Sequence, residues 1–186
     1  YDKSLTLMEF DVDTDSNLLA QYCKKADFVF HLAGVNRPKD THEFMSGNYG
    51  FTSELLRLLR EYNNKCPILI TSSVQAELDN AYGISKKAGE EAIFSHAEQT
   101  GAKALVYRLP NLFGKWCRPN YNSVIATFCH NIAHDMPITI NDRSTVLNLV
   151  YIDDLVKEFK AALYGKEHRD GKFCYVPVTY RESLGA

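Results

Sequence analysis

The chain has 186 residues, 45% of them hydrophobic, which suffices for one sizeable core and argues for one domain. A formal charge of −2 with no basic run excludes the electrostatic footprint of a nucleic-acid binder, and no apolar stretch is long enough to span a membrane. Five cysteines without C-x-x-C spacing fit reduced thiols rather than a disulfide framework, which makes the cytoplasm the default compartment.

Strand and helix patterns alternate along the chain, which argues for an α/β fold with a largely parallel sheet. Leu5 to Phe10 reads as a strand ending in Asp11-Val12-Asp13, Ser16 to Lys25 as a short helix, and Phe28 to Leu32 as a buried strand. His42 to Tyr62 reads as a long helix whose Leu55, Leu56, Leu58 and Leu59 make an apolar stripe. Pro67 to Thr71 is the next strand, closed by Ser72-Ser73. Asn80 is placed to cap a helix that carries Tyr82 and stops near Gly101, and Ala104 to Leu109 follows as a strand. After a Pro/Asn-rich loop, Asn122 to His134 is helical, Thr145 to Tyr151 extended, and Ile152 to Tyr164 helical again. In open α/β sheets ligands bind at the carboxyl ends of strands, and Gly34, Ser73 and Asn111 all fall at such ends.

The chemistry concentrates in Tyr82-Gly83-Ile84-Ser85-Lys86. Residues four apart share a helix face, so the Lys86 ammonium can sit under the Tyr82 phenol and depress its pKa from about 10 toward neutrality. Ser73 would hydrogen-bond a carbonyl or alkoxide oxygen while Tyr82 transfers its proton, which implies carbonyl reduction or alcohol oxidation. Tyr-x-x-x-Lys alone also occurs on many solvated helix faces, so the segments around it carry the reading. A metal site from Cys117, Cys129, His130 and His134 is the sharper alternative for that stretch. It is set aside because two further ligands would have to converge from loops and no paired-cysteine knuckle supports them.

Read in order, Asp27-Phe28-Val29-Phe30-His31-Leu32-Ala33-Gly34, Asn48 opening a helix, Ile70-Thr71-Ser72-Ser73, Tyr82 to Lys86, Arg108 to Gly114 and Tyr151-Ile152-Asp153-Asp154 resemble the extended short-chain dehydrogenases. That family includes nucleotide-sugar epimerases, dehydratases and reductases. Asn36-Arg37-Pro38 and the run from Asn111 to Asn122 look most like the CapF-type reductases of capsular polysaccharide synthesis. The resemblance implies a Rossmann-like, doubly wound parallel sheet, here incomplete at its N-terminus. No G-x-x-G-x-x-G turn is present to hold a dinucleotide pyrophosphate, and Gly47 and Gly50 follow no strand. The expectation is therefore a single NAD(P)-binding domain that is a fragment of a longer chain, with neither the first strand nor a C-terminal cupin domain.

By resemblance, Ser73, Tyr82 and Lys86 are catalytic, with Lys86 also holding the nicotinamide ribose. Leu32, Ala33, Gly34, Asn48, Thr71, Ser72, Leu109 and Pro110 line the cofactor. Asn36, Arg37, Asn111, Lys115, Arg118 and Arg143 join Ser73 in meeting the substrate, a UDP-sugar. Asp11 or Asp13 at a strand end would favour NAD, whereas CapF-type enzymes use NADPH, so the expected cofactor is NADPH or NADH. Relatives dimerise through the Tyr82 helix and the one before it, and a homodimer is expected here.

The function expected is NAD(P)H-dependent reduction of the C4 ketone of a UDP-linked 4-keto-6-deoxy-N-acetylhexosamine. A nucleotide-sugar 4-epimerase or dehydratase is the alternative. Val74-Gln75 stands where dehydratases carry Asp-Glu, and Leu147 stands where many epimerase relatives carry a phosphate-binding arginine. A non-catalytic NAD(P)-binding domain or inactive fragment is the alternative from another class.

Overall fold

A computed structural model describes residues 4–186, in two compact units that divide between Val106 and Tyr107. In the first unit, α1 (Asn17–Lys25) leads to β1 (Val29–His31). A continuous helical run follows, made of α2 (His42–Phe44), a π-helical stretch (Met45–Gly50) and α3 (Phe51–Glu61). Then come β2 (Ile68–Ser73), a 3₁₀ turn (Val74–Glu77), α4 (Ala81–Thr100) and the start of β3 (Ala104–Leu109).

β1 pairs parallel with β2, placing Val29 opposite Ile68 and His31 opposite Ile70, and β2 lies beside β3. Parallel strands joined through helices make this a Rossmann-like α/β fold, as the alternating pattern implies. Ile68, Leu69 and Ile70 are all buried, as a central parallel strand requires. Leu55, Leu56, Leu58 and Leu59 bury the stripe of α3, while Arg57 on its outer face bridges Glu54 at 2.8 Å and Glu61 at 2.6 Å. Asn80 caps α4 by accepting the Gly83 N–H at 2.8 Å, and Gly101 ends it in the left-handed region at φ 78°.

The expected strand Leu5 to Phe10 does not form, and Leu5 and Leu7 are exposed. A strand exists only where a neighbour takes its backbone N–H and C=O groups, and among the described residues none lies beside this segment.

The second unit takes in the end of β3 and continues with β4 (Asn111–Phe113), α5 (Val124–Ala133), β5 (Val146–Tyr151) and α6 (Ile152–Leu163). It closes with β6 (Arg169–Asp170), β7 (Phe173–Cys174) and β8 (Tyr180–Ser183). β4 pairs parallel with β5, β5 antiparallel with β8, and β6 antiparallel with β7. The core here centres on Tyr107, fully buried, whose hydroxyl donates to Glu158 Oε1 at 2.8 Å while Phe159 meets its ring edge-on. The His168 backbone N–H also donates to Glu158 Oε1, at 2.8 Å, so the buried carboxylate is well satisfied.

Candidate active site

β2 ends at Ser73, whose extended backbone lets its hydroxyl accept the Gln75 N–H at 3.2 Å and start the 3₁₀ turn. The turn and the Asn80 cap return the chain so that Tyr82 sits in the first turn of α4. There the Ser73 hydroxyl comes close enough to the Tyr82 phenol to favour its ionised form, and Phe44 meets the Tyr82 ring edge-on at 5.6 Å. One turn on, Lys86 is 9% exposed, and its Nζ donates to the Thr71 carbonyl at 3.2 Å.

The electrostatics depart from the expected pattern. Burial raises the Tyr82 pKa above its ordinary value, and the nearby Ser73 hydroxyl only partly offsets this. Lys86 Nζ stands 5.9 Å from the Tyr82 ring centroid and is directed to the Thr71 carbonyl, so it does not pull the phenol toward neutrality. Burial pulls the Lys86 amine down to about 8, opposed by the Glu90 carboxylate one turn further along. A phenol held protonated beside a serine is arranged to donate a proton to a carbonyl oxygen.

Asn48 does not open a helix; it lies inside the helical run, in the π-helical stretch, and is buried. Its Oδ1 accepts the Val35 N–H at 2.8 Å, and its Nδ2 donates to the Val35 carbonyl at 3.1 Å and to Ser85 Oγ at 3.0 Å. Ser85 Oγ in turn donates to the Tyr82 carbonyl at 2.7 Å, so one side chain joins the loop after β1 to the first turn of α4. Gly34 completes the junction: a Cβ there would lie 2.8 Å from Lys86 Nζ and 3.0 Å from Asn48 Oδ1. Beneath it, Thr52 Oγ1 donates to the Asn48 carbonyl at 2.6 Å and so accepts from His31 Nε2 at 2.7 Å, which fixes the tautomer. Burial and the Lys86 charge push the His31 pKa down to about 4, leaving it neutral at pH 7. Asn48→Ala should cost about 1–3 kcal/mol, since it strands the hydrogen-bonding groups that it satisfies. A urea midpoint at unchanged slope measures this, and an unaltered midpoint would show that the staple is dispensable.

Alternation along β2 turns Ser73 toward Tyr82 and Ser72 inward, where its buried hydroxyl donates to Glu90 Oε1. The Ser72 hydroxyl is thus engaged inside the core rather than free at the strand end. Leu32, Ala33, Gly34, Asn36 and Arg37 occupy the exposed loop after β1 that Asn48 fastens. Asp11 accepts the Val12 N–H at 2.7 Å within its own turn, and Asp13 is exposed.

The remaining expected residues belong to the second unit. Leu109 is buried, Pro110 joins β3 to β4, and exposed Asn111 opens β4 opposite Leu149. Lys115 pairs with Asp153 at 2.9 Å, which raises its pKa, and lies 5.6 Å from the ring of Trp116. Arg118 lies 5.9 Å from the Tyr121 ring, and Arg143 Nη2 donates to the Gly185 carbonyl at 2.9 Å. Among the described residues no group of three metal-ligating side chains is placed to hold an ion, and no helix is long and apolar enough to cross a membrane. Sequence reasoning missed Glu90, Ser85, Thr52 and His31. Glu90 was findable, since it falls four residues after Lys86 on the face that Tyr82 and Lys86 share.

Residues 1–172 match the model of the NAD dependent epimerase/dehydratase family. The chain belongs to that family. It is 47% identical over 162 residues to the UDP-2-acetamido-2,6-beta-L-arabino-hexul-4-ose reductase of Pseudomonas aeruginosa, covering 87% of this chain and 44% of that protein. The crystal structure of the capsular polysaccharide assembling protein CapF from Staphylococcus aureus superposes with a TM-score of 0.82 at 46% identity, over 93% of this chain and 47% of that one. The UDP-glucuronic acid 4-epimerase of Bacillus cereus, solved with NAD, has a TM-score of 0.78 at 21% identity, over 93% of this chain and 60% of that one, a likeness of fold. The chain thus spans less than half the length of the first two relatives.

Proposed function

We propose that the chain carries the reductase chemistry of an NAD(P)H-dependent enzyme that reduces the C4 ketone of a UDP-linked 4-keto-6-deoxy-N-acetylhexosamine for capsular or surface polysaccharide. The observation that carries this reading is the assembly of Ser73, Tyr82 and Lys86 where β2 ends and α4 begins, with the Tyr82 phenol kept protonated. The reductase relative at 47% identity names the substrate class. The donor set also fits the nicotinamide end of a dinucleotide. Gly34 has no side chain where Lys86 and Asn48 close in, and the Lys86 amine faces the loop at the end of β1. Lys86 and the backbone from Leu32 to Gly34 would hold the nicotinamide ribose, with Asn48 and Thr71 fixing Lys86 and the loop. NADPH is the preferred form by resemblance; bound, the nicotinamide supplies the hydride for the sugar C4.

The chain's own residues do the rest. Ser73 orients the C4 carbonyl by donating a hydrogen bond to its oxygen, and Tyr82 gives that oxygen its proton. Lys86, one turn along α4 and facing the loop at the end of β1, would hold the nicotinamide ribose with its charge. Asn36, Arg37, Asn111, Lys115, Arg118 and Arg143 are the candidates for the UDP-sugar, the cytoplasm is the expected compartment, and a homodimer through α3 and α4 is the expected assembly.

Titration with NADPH and NADH, followed by nicotinamide fluorescence, tests the reading on this chain and on a version extended by a first strand and Gly-rich turn. The extended form should bind NADPH and oxidise it when given a UDP-4-keto sugar. If neither form binds either dinucleotide, the enzyme reading fails and the chain is a structural relative. Turnover with solvent isotope exchange at C4 and no net NADPH consumption would favour an epimerase instead.

A further inference from the structure

Lys86 has a buried acidic neighbour that the reduction itself does not use. Glu90 is 2% exposed, lies one helical turn beyond Lys86, and accepts the Ser72 hydroxyl on Oε1. Ser72 directly follows Thr71, whose carbonyl receives Lys86 Nζ at 3.2 Å. Two adjacent residues of β2 thus hold two buried side chains of opposite charge that interact electrostatically. Side chains four apart on a helix are neighbours, and a carboxylate is excluded from an apolar core unless hydrogen-bonded and paired.

Deepening the reductase reading and resting on it, we propose that Glu90 is a positioning residue for Lys86: its carboxylate, tied to Ser72, keeps the lysine amine protonated and seated at the end of β2. The other groups facing Lys86 do not supply this. His31 on β1 is neutral at pH 7, and Tyr82 on α4 is held protonated. Asn48 and Thr52 in the helical run, and Thr71 and Ser72 on β2, are uncharged. Burial pushes the lysine toward its neutral form, and Glu90 is the anion that opposes this.

The direct test needs neither cofactor nor substrate. In the ¹³C-lysine-labelled chain, the Lys86 Cε resonance, assigned by its disappearance in Lys86→Met, is followed by NMR from pH 6 to pH 11. Glu90→Gln keeps an oxygen for Ser72 to donate to but removes the charge. Its Lys86 midpoint should fall by about one pH unit or more, and Glu90→Asp should restore most of that shift. An unmoved midpoint in folded Glu90→Gln overturns the proposal.

Should Glu90→Gln fail to fold, the pair is read from its other end. Lys86→Met leaves the carboxylate buried without a cation, so the folded state takes up a proton that the unfolded state has released. Its stability relative to wild type should then fall as pH rises from 5 to 7.5, and a pH profile parallel to wild type overturns the proposal. In the active, extended protein the alkaline limb of kcat should move down by the same interval in Glu90→Gln, which a merely structural role would not produce. The NMR outcome stands whether or not the protein reduces a UDP-sugar, so failure of the reductase reading and failure of this one are separable.

Discussion

Tyr82→Phe is expected to lower kcat for NADPH-dependent reduction of a UDP-4-keto sugar by about 10²- to 10⁴-fold while fold and dinucleotide affinity persist. The substitution removes one oxygen. The ring keeps its edge contact with Phe44, the Asn80 cap and the Ser85 bond to the residue-82 carbonyl are backbone features, and Lys86 still has the Thr71 carbonyl. What disappears is the phenolic proton beside Ser73. Because the phenol titrates above its ordinary range while the Lys86 amine titrates near 8, wild-type activity should decline first as pH rises through about 8, when Lys86 loses its charge. Absorbance of NADPH at saturating substrate measures both effects. A Phe variant within a few-fold of wild type would mean that the proton comes from another group, and the assignment of Tyr82 would fall.

The legible parts of this chain are those where a local rule and the tertiary environment agree. The leucine stripe of α3, the Asn80 cap, the Gly101 stop and β3 from Ala104 to Leu109 lie where periodicity and capping chemistry put them. Leu5 to Phe10 misleads because strand character depends on a partner that pattern cannot supply. The two- to four-residue strands β4, β6, β7 and β8 are too short to show alternation, and the π-helical stretch leaves no periodic signature in six residues. At the site, strand alternation and the family pattern pick Ser73 over Ser72, and in the structure Ser73 lies on the Tyr82 side while Ser72 turns to Glu90. The expected direction of the Tyr82 shift was wrong because helical spacing reveals that Tyr82 and Lys86 share a face but not how deeply either is buried. Here desolvation outweighs a cation whose nitrogen is bound elsewhere.

Gly83→Ala carries the other large effect, and its sign discriminates. At an open helical position alanine outdoes glycine by about 1 kcal/mol, so a solvated first turn would be stabilised. Position 83 is not open. A Cβ there would lie 2.2 Å from the Gln75 carbonyl oxygen and 2.6 Å from that of Leu78, both backbone atoms that no rotamer change can withdraw. The first turn of α4 must therefore lift off the 3₁₀ turn, taking the neighbouring Tyr82 with it and breaking the alignment with Ser73. We expect a loss of about 1–3 kcal/mol in stability, as for overpacked cores, and a fall in kcat of order 10²-fold if the phenol moves by about 1 Å. Gly50→Ala is the internal control. That glycine has helical angles, φ −60° and ψ −48°, and its nearest obstacle lies 3.9 Å away, so alanine there should stabilise by about 0.5–1 kcal/mol. Opposite shifts of the two urea midpoints would establish that the glycine inside the Tyr82 to Lys86 motif serves close packing against the strand-to-helix turn. Shifts of the same sign would remove that explanation and leave Tyr82 positioned by its cap and its hydrogen bonds alone.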